Sequence, residues 1–495
     1  MRVVAAITAI VVASFYRPVT FWTVNAWDLS SPGPVLLLGG ALAVAGLWLL
    51  FVVRELGADP LVAGLTIACL VIVAVHWNLL VGNTGVLFVC GVLIAAWFAN
   101  RYQESGGTRL VALVFLTAFG IVPLVQLVSA HFVDAQDYPL SSLPAMEMTV
   151  PTGDIEDIVV VIVDTYPNLH IARTWFNHDS SELLAGLEAS GFQTPESSWS
   201  QHTYTALSVS SILSLHSVIE PGPTDEWGNR SSLWRLLRGD NLTSQTLESA
   251  GFTYTHVESG WAGTSCGPEV DRCVRAPWID ETVRILLRPT LAHDWVASNH
   301  FIRTGTFNTA SALAAELPEV LHNNSHDYVF AHFLLPHDPV LVDESCTPIA
   351  ETRFEQGTPE LYRQRFAGQL ACVDSLVSAV AKLADEDTAM LITGDHGSST
   401  GQQLRRSPND WTDADIAERF GVFMTYKLPL SCKGPDRADP MATLAAIMSC
   451  ALDGTFDSPT PEYLIGLDDP VAVDPRRMRE IKGQLAAGAI DPDQG

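Results

Sequence analysis

Basic residues are scarce in this chain of 495: 28 Lys and Arg stand against 55 Asp and Glu, a formal net charge of −27. That balance excludes nucleic acid or another anionic polymer as an electrostatic partner, because such binding rests on neutralising phosphates with Lys and Arg. No two cysteines form a CxxC pair, which argues against a cysteine-built zinc site, and no internal repeat is present. Charge of either sign is missing from four stretches of the first 130 residues: 34–53 (PVLLLGGALAVAGLWLLFVV), 61–81, 85–99 and 110–130 contain no Asp, Glu, Lys or Arg. Apolar runs of this kind read as membrane-spanning helices, the third being short. A fifth run, 3–22, is interrupted by Arg17 but resumes as PVTFWTV with no small-residue cleavage site, so it reads as a first span rather than a signal peptide.

The few basic residues that are there set an orientation. Arg2 precedes the first run, Arg54 separates the second from the third, and Arg101 and Arg109 separate the fourth from the fifth, whereas the alternate loops carry none. Positive charge stays on the cytoplasmic side, so five spans leave the N-terminus inside and everything after about residue 131 outside. The cysteines agree. Cys69 and Cys90 lie in spans, and the remaining six all follow the last one, an even number where disulfides form. Neighbour pairing, Cys266 with Cys273, Cys346 with Cys372 and Cys432 with Cys450, is the simplest connectivity. The expected layout is a transmembrane domain at 1–130, an all-α bundle of about five helices; a linker at 131–153; an exterior domain at 154–473; and a charged, partly helical tail at 474–495. The expected locale is the plasma membrane, with multiple passes and the 154–473 domain extracytoplasmic.

In that exterior domain short β-rich runs alternate with helical stretches, which predicts an α/β fold with a largely parallel central sheet covered by helices. DIVVVIV (157–163) reads as a strand buried on both faces, and YVFAHFLL, TAMLIT and GVFMTYKL as further strands. Ligands of such sheets sit beyond the carboxyl ends of the strands. There the chain places Asp164, then the Pro336, His337, Asp338 run, then Asp395 and His396. Each has a plain alternative as a helix cap or a satisfied loop residue. Together, two carboxylates and an imidazole form the donor mixture of one divalent cation of borderline character, zinc or manganese first, magnesium or calcium as alternatives.

A fourth ligand comes from the serine- and threonine-rich stretch SWSQHTYTALSVSSILS (198–214). Thr205, opening the helix ALSVSSILS, would aim its hydroxyl and the first helical N–H groups at the same mouth, where a cation would make it an alkoxide nucleophile. Ser208, Ser211 and Ser214 share one helical face and read as capping and helix polarity. His202 reads as a turn residue or an acid/base. Arg405 and Arg406 read as solvated or as holders of a second anionic group.

DIVVVIVDTYP, HTYTALSVSSILS, HFLLPHDP and ITGDHG, in this order, resemble the alkaline-phosphatase superfamily in its sulfatase-like branch, and the five preceding spans resemble the membrane phosphoethanolamine transferases and lipoteichoic acid synthases within it. The resemblance implies Thr205 as nucleophile, from the transferase pattern T-x-T-A-x-S matched by Thr203 to Ser208; Asp164 in place of the first acidic ligand, usually Glu; Asp395 and His396 as the DH pair; and His332 and His337 as a substrate-binding pair. It implies a membrane lipid as donor and an envelope glycan or lipid as acceptor, with the oligomeric state open. The departures are specific: no C/S-x-P-x-R motif stands at Thr205, which argues against sulfate-ester hydrolysis; the cysteines flanking the threonine in many transferases are missing; and no histidine follows His396. An anchored phosphoester or sulfoester hydrolase, and a catalytically silent membrane scaffold, are the other readings.

Overall fold

The computed structural model describes residues 2–25, 33–57, 59–75, 151, 155–220, 231–275, 315, 318, 326–352, 358–400, 403–456, 460–467 and 470–491. The expected spans at 85–99 and 110–130, and the linker apart from Pro151, lie outside the described residues. The chain divides into two compact units, the first holding the N-terminal helices and the second the central sheet.

In the first unit, α1 (Arg2–Asn25), α2 (Gly33–Glu55) and α3 (Pro60–Val75) coincide with the first three apolar runs. Small residues let them approach closely. Ala6, Ala9 and Ala13 of α1 are buried with Leu50 of α2 and with Ala63 and Ala68 of α3, and a Cβ placed on Gly64 would come within 2.3 Å of the Ala6 Cβ. Leu37, Val44, Trp48 and Phe51 of α2 face outward and are exposed. Among the described residues, the segment Leu36–Glu55 is the one helix long and apolar enough to cross a membrane on its own.

In the second unit, the elements that frame the site are β1 (Asp157–Val163), α4 (Thr205–Leu213), β2 (Thr253–Val257), β3 (Arg272–Val274), β4 (Asp327–Phe333), α5 (Pro359–Ala381), β5 (Thr388–Thr393), α6 (Asp413–Phe420), β6 (Met424–Lys427), α7 (Pro440–Ala451) and α8 (Pro475–Ala486). The sheet runs in the order β6-β5-β1-β4-β2-β3. All its pairings are parallel except that of β6 with β5. The unbroken Val/Ile run of β1 is explained by its central place. Val159, Val161 and Val163 enter one core with Phe366, Leu370 and Val373 of α5, while Ile158, Val160 and Ile162 enter the other with Leu207 and Val209 of α4 and Leu444 and Ile447 of α7. Helices thus cover both faces, as the alternation of runs predicts.

Two details differ from the sequence reading. GVFMTYKL splits at Phe423: Gly421–Val422 pairs with Ser198–Trp199, and only β6 joins the sheet, antiparallel at its edge. The short polar strands β2 and β3 carry no Val/Ile run to betray them. All three neighbour disulfides are formed: Cys266–Cys273, Cys346–Cys372 and Cys432–Cys450. Helix α8, within the stretch read as a charged tail, sets Met478, Ile481 and Leu485 into the same core as α5 and α6. Arg477 binds the Asp413 carboxylate at 2.8 Å.

Ile481 is fully buried, so Ile481→Ala is expected to destabilise the domain by about 2–5 kcal/mol, read from denaturant unfolding. A change below about 0.5 kcal/mol, the range of surface substitutions, would show that α8 is a dispensable appendage.

Candidate active site

Strand β1 lies between β4 and β5, so the loops at their carboxyl ends meet. Asp164 follows β1, and its N–H donates to the Phe333 carbonyl of β4 at 2.9 Å. Thr165 then turns through a left-handed φ of 63°, a conformation that is costly for a β-branched residue. The turn points the Thr165 N–H at Asp395 Oδ1, 3.1 Å away. Next in the chain, the Tyr166 hydroxyl donates to Asp374 of α5, and the Tyr166 carbonyl accepts from the Phe423 N–H. The strained residue is therefore held from both sides.

Asp395 Oδ1 also accepts the His396 N–H at 2.8 Å, so two backbone donors occupy one carboxylate oxygen and orient the other. His396 Nδ1–H donates to the Gly397 carbonyl at 3.2 Å, which fixes the tautomer and leaves Nε2 as the free lone pair. That nitrogen lies 3.3 Å from Asp395 Oδ2 and 3.9 Å from Asp164 Oδ1. Thr205, at the first position of α4, places Oγ1 3.1 Å from it. The structure therefore brings Asp164, Thr205 and the adjacent pair Asp395 and His396 together from three distant points of the chain. Glycine is obligatory in this loop, because a Cβ on Gly397 would lie 1.9 Å from the Glu418 carbonyl oxygen.

The pair His332 and His337 divides. His332, within β4, is fully buried; its Nδ1 meets Thr264 Oγ1 at 3.1 Å and its Nε2 faces Asp164 Oδ2 at 3.6 Å. His337 is exposed and donates from Nδ1 to the Asp338 carbonyl at 2.6 Å. His202 is buried against Ser217, its Nε2 3.3 Å from that hydroxyl. Arg406 is paired with Asp415. Of the three serines on one face, Ser208 does more than lend polarity: its hydroxyl donates to the Asp395 carbonyl, tying α4 to the ligand loop.

Sequence reasoning missed Glu418 and Arg419 of α6. The Glu418 carboxylate accepts from the Ser398 hydroxyl, from the N–H and hydroxyl of Thr400, and from the Gln403 amide. Arg419 donates to the carbonyls of Thr203 and Gly397 and to His396 Nε2. The signal was a charged pair set between Ile416, Ala417 and Phe420, all buried.

The donor set fits a divalent cation. Asp164, Asp395 and His396 offer ligand atoms within 4.8 Å of one another. Asp164 Oδ1 and Asp395 Oδ2 are buried without a hydrogen-bond partner, a costly state for carboxylates that a cation relieves. Burial, then the charge of Asp164, pushes the Asp395 carboxyl up from the usual carboxylate range. Burial acts on Asp164 the same way, but His337 and His332 outweigh it and hold that carboxyl low. Burial, then Arg419, keeps the His396 imidazole neutral well below its ordinary value. Two carboxylates and a neutral imidazole match a double positive charge.

His396→Ala and Asp395→Asn are expected to lose the cation that the unaltered protein retains on purification, measured by elemental mass spectrometry. Because a proton on Asp395 competes with the cation, affinity is expected to fall as pH drops from neutral into the acid range, measured by titration against a competing chelator; an affinity independent of pH would place the cation elsewhere.

The model of the sulfatase family matches residues 157–420. No curated protein matches the sequence. Among solved structures, the integral membrane lipooligosaccharide phosphoethanolamine transferase A of Neisseria meningitidis is similar at 13% identity, covering 88% of this chain and 80% of that one with a TM-score of 0.45. The C-terminal periplasmic domain of EptC from Escherichia coli, in complex with zinc, is similar at 11% identity over 68% of this chain and 97% of that one, TM-score 0.45. The phosphonate monoester hydrolase of Agrobacterium radiobacter is similar at 12% identity over 62% and 76%, TM-score 0.40. Matched by the family model over more than half of its length, from the first residue of β1 to the last of α6, the chain belongs to the sulfatase family of the alkaline phosphatase superfamily and is a sulfatase-like enzyme.

Proposed function

We propose that the protein is a membrane-bound, metal-dependent transferase that moves a phospho-substituent from a lipid head group, by way of Thr205, to an envelope glycan or lipid. One observation carries this reading: the Thr205 hydroxyl, at the start of a helix, lies 3.1 Å from the His396 nitrogen that faces two buried, unpartnered carboxylate oxygens. Asp164, Asp395 and His396 would hold a divalent cation, zinc or manganese by the donor mixture, with Thr205 as the fourth ligand. When bound, the cation supplies the positive charge that favours the alkoxide form of a neighbouring hydroxyl. The chain does the rest. In the first half-reaction a bond forms from Thr205 Oγ to phosphorus as the ester bond to the lipid's leaving oxygen breaks; the hydroxyl proton lost by Thr205 is balanced by the one the departing oxygen takes up. In the second, an acceptor hydroxyl or amine forms a bond to the same phosphorus as the Thr205 Oγ–phosphorus bond breaks, and the proton the acceptor loses is balanced by the one Thr205 regains. The N-terminal end of α4 favours the negative charge that gathers there, and the substrate-binding role falls to His337, exposed in the loop after β4, and to His332.

The membrane reading completes the proposal. Five spans within 1–130 lead through a linker at 131–153 to a catalytic domain at 154–473 on the extracytoplasmic side, a layout supported by the charge-free runs, the arginine distribution and three disulfides in the second unit. A donor lying in the bilayer gives such an anchor a purpose.

Intact-mass analysis of the purified protein after incubation with candidate phospholipids is expected to reveal an adduct that Thr205→Ala abolishes and Thr205→Ser retains in part. An adduct that survives Thr205→Ala would sink the nucleophile; release of a free head group with no acceptor product would establish the hydrolase instead.

A further inference from the structure

The two carboxylates that would hold the cation are fastened in different ways. Asp395 has Oδ1 fixed by two backbone N–H groups, which leaves Oδ2 to bind. On Asp164, Oδ1 faces His396 Nε2 at 3.9 Å and Oδ2 faces His332 Nε2 at 3.6 Å. Among the described residues no backbone N–H serves Oδ2; beside it stands only the His332 ring, fully buried, its Nε2 just past hydrogen-bond length and without another partner. A bare lone pair there would be repelled by the carboxylate, so Nε2 has to carry a proton. In the neutral ring Nδ1 is then the acceptor and needs a donor of its own.

The loop after β2 supplies that donor. ESGWAGTSC (258–266) leads from β2 toward β3 and is closed by the Cys266–Cys273 disulfide. One assignment of its hydrogen bonds satisfies every member. The Trp261 N–H donates to Ser259 Oγ at 3.0 Å, the Ser259 hydroxyl to Thr264 Oγ1 at 2.7 Å, and the Thr264 hydroxyl to His332 Nδ1 at 3.1 Å. Each hydroxyl thus accepts once and donates once. The Thr264 carbonyl is held separately: the Tyr254 hydroxyl donates to His256 Nδ1 at 3.0 Å, and His256 Nε2–H donates to that carbonyl at 2.9 Å. Burial lowers His256 to about 4, so its ring is neutral and has a single proton for this bond. Tyr254, His256, Thr264 and His332 are all fully buried, a costly set of polar groups to enclose beside a loop that the proposed reaction does not otherwise use.

We propose that Thr264 is a positioning residue of the metal centre: its hydroxyl holds the His332 ring with Nε2–H toward Asp164 Oδ2, which keeps Oδ1 turned to the cation. His332 thereby does for Asp164 what two backbone N–H groups do for Asp395. This rests on the reading of Asp164 as a cation ligand and is independent of the part His332 has with the substrate.

The test uses the full-length protein with zinc as the probe, its affinity measured against a competing chelator. Thr264→Val keeps the shape and removes the hydroxyl. It is expected to weaken zinc roughly 10-fold, the lower end of the range for losing a residue that orients a metal ligand, because Thr264 acts one step further out. Thr264→Ser is expected to restore most of that loss. In a His332→Gln background Thr264→Val is expected to add nothing, since a residue that acts through another is not additive with it; an equal loss in both backgrounds would make Thr264 a packing residue and overturn the proposal. The unaltered zinc-loaded protein gives a readout that no folding failure removes. With histidine labelled at its ring nitrogens, the His332 magnetic-resonance signal, identified by its loss in His332→Gln, is expected to show the proton on Nε2, and an unprotonated Nε2 overturns the proposal. Asp164→Asn separates the two readings. Zinc affinity that falls in Asp164→Asn but not in Thr264→Val removes the positioning role alone, whereas affinity unmoved by Asp164→Asn removes Asp164 as a ligand and the proposal with it.

Discussion

Two carboxylates that face each other inside a protein are the constraint from which the rest of the catalytic unit follows. Asp164 and Asp395 sit at the ends of adjacent parallel strands, both buried, each with an oxygen that no hydrogen bond satisfies. Left alone, such a pair repels itself and is poorly solvated. The fold nevertheless fixes it firmly: Asp395 is oriented by two backbone N–H groups, one supplied by a residue in a left-handed turn, and the Asp164 turn is anchored through Tyr166 to α5. A chain that invests backbone strain and buried charge at one point is preorganised for a cation, and binding of that cation would return stability to the domain.

Around that centre the supporting contacts come from parts of the chain far apart in sequence. Ser208 on α4 holds the Asp395 carbonyl, Arg419 on α6 joins the Thr203 and Gly397 carbonyls, and Glu418 collects the loop beyond Gly397. The start of α4 and the Asp395–His396 loop therefore share fastenings. A displacement of one is transmitted to the other, which keeps the Thr205 hydroxyl and the Asp395 and His396 side chains at a fixed separation.

Much of this was legible in the residues alone. A strand buried on both faces announces itself by an unbroken Val/Ile run, and a polar residue directly after such a strand falls at the mouth of a parallel sheet; that is why Asp164 and the Asp395–His396 pair could be named, and why Thr205 at a helix start could be joined to them. The rest depended on relations that no local pattern encodes. Strands β2 and β3 carry Thr, His and Arg and become strands only because β4 offers an open edge. The membership of Met478, Ile481 and Leu485 in the core is masked by the charged residues between them. Arg419 lies on a short helix whose buried face is apolar except for itself, Glu418 and Asp415, so its role emerges only when the opposite wall is in place. His332 and His337, five positions apart in the chain, part company because one belongs to a strand and the other to the loop that leaves it.

The sheet itself carries a last consequence. Among the described residues its two outer members are β6, four residues long, and β3, three residues long. Rims so abbreviated offer few unpaired backbone groups for a neighbouring copy to zip onto. Any crowding of many such molecules on one surface is thereby kept from turning into strand-to-strand aggregation, and assembly, where it happens, is left to helices and loops.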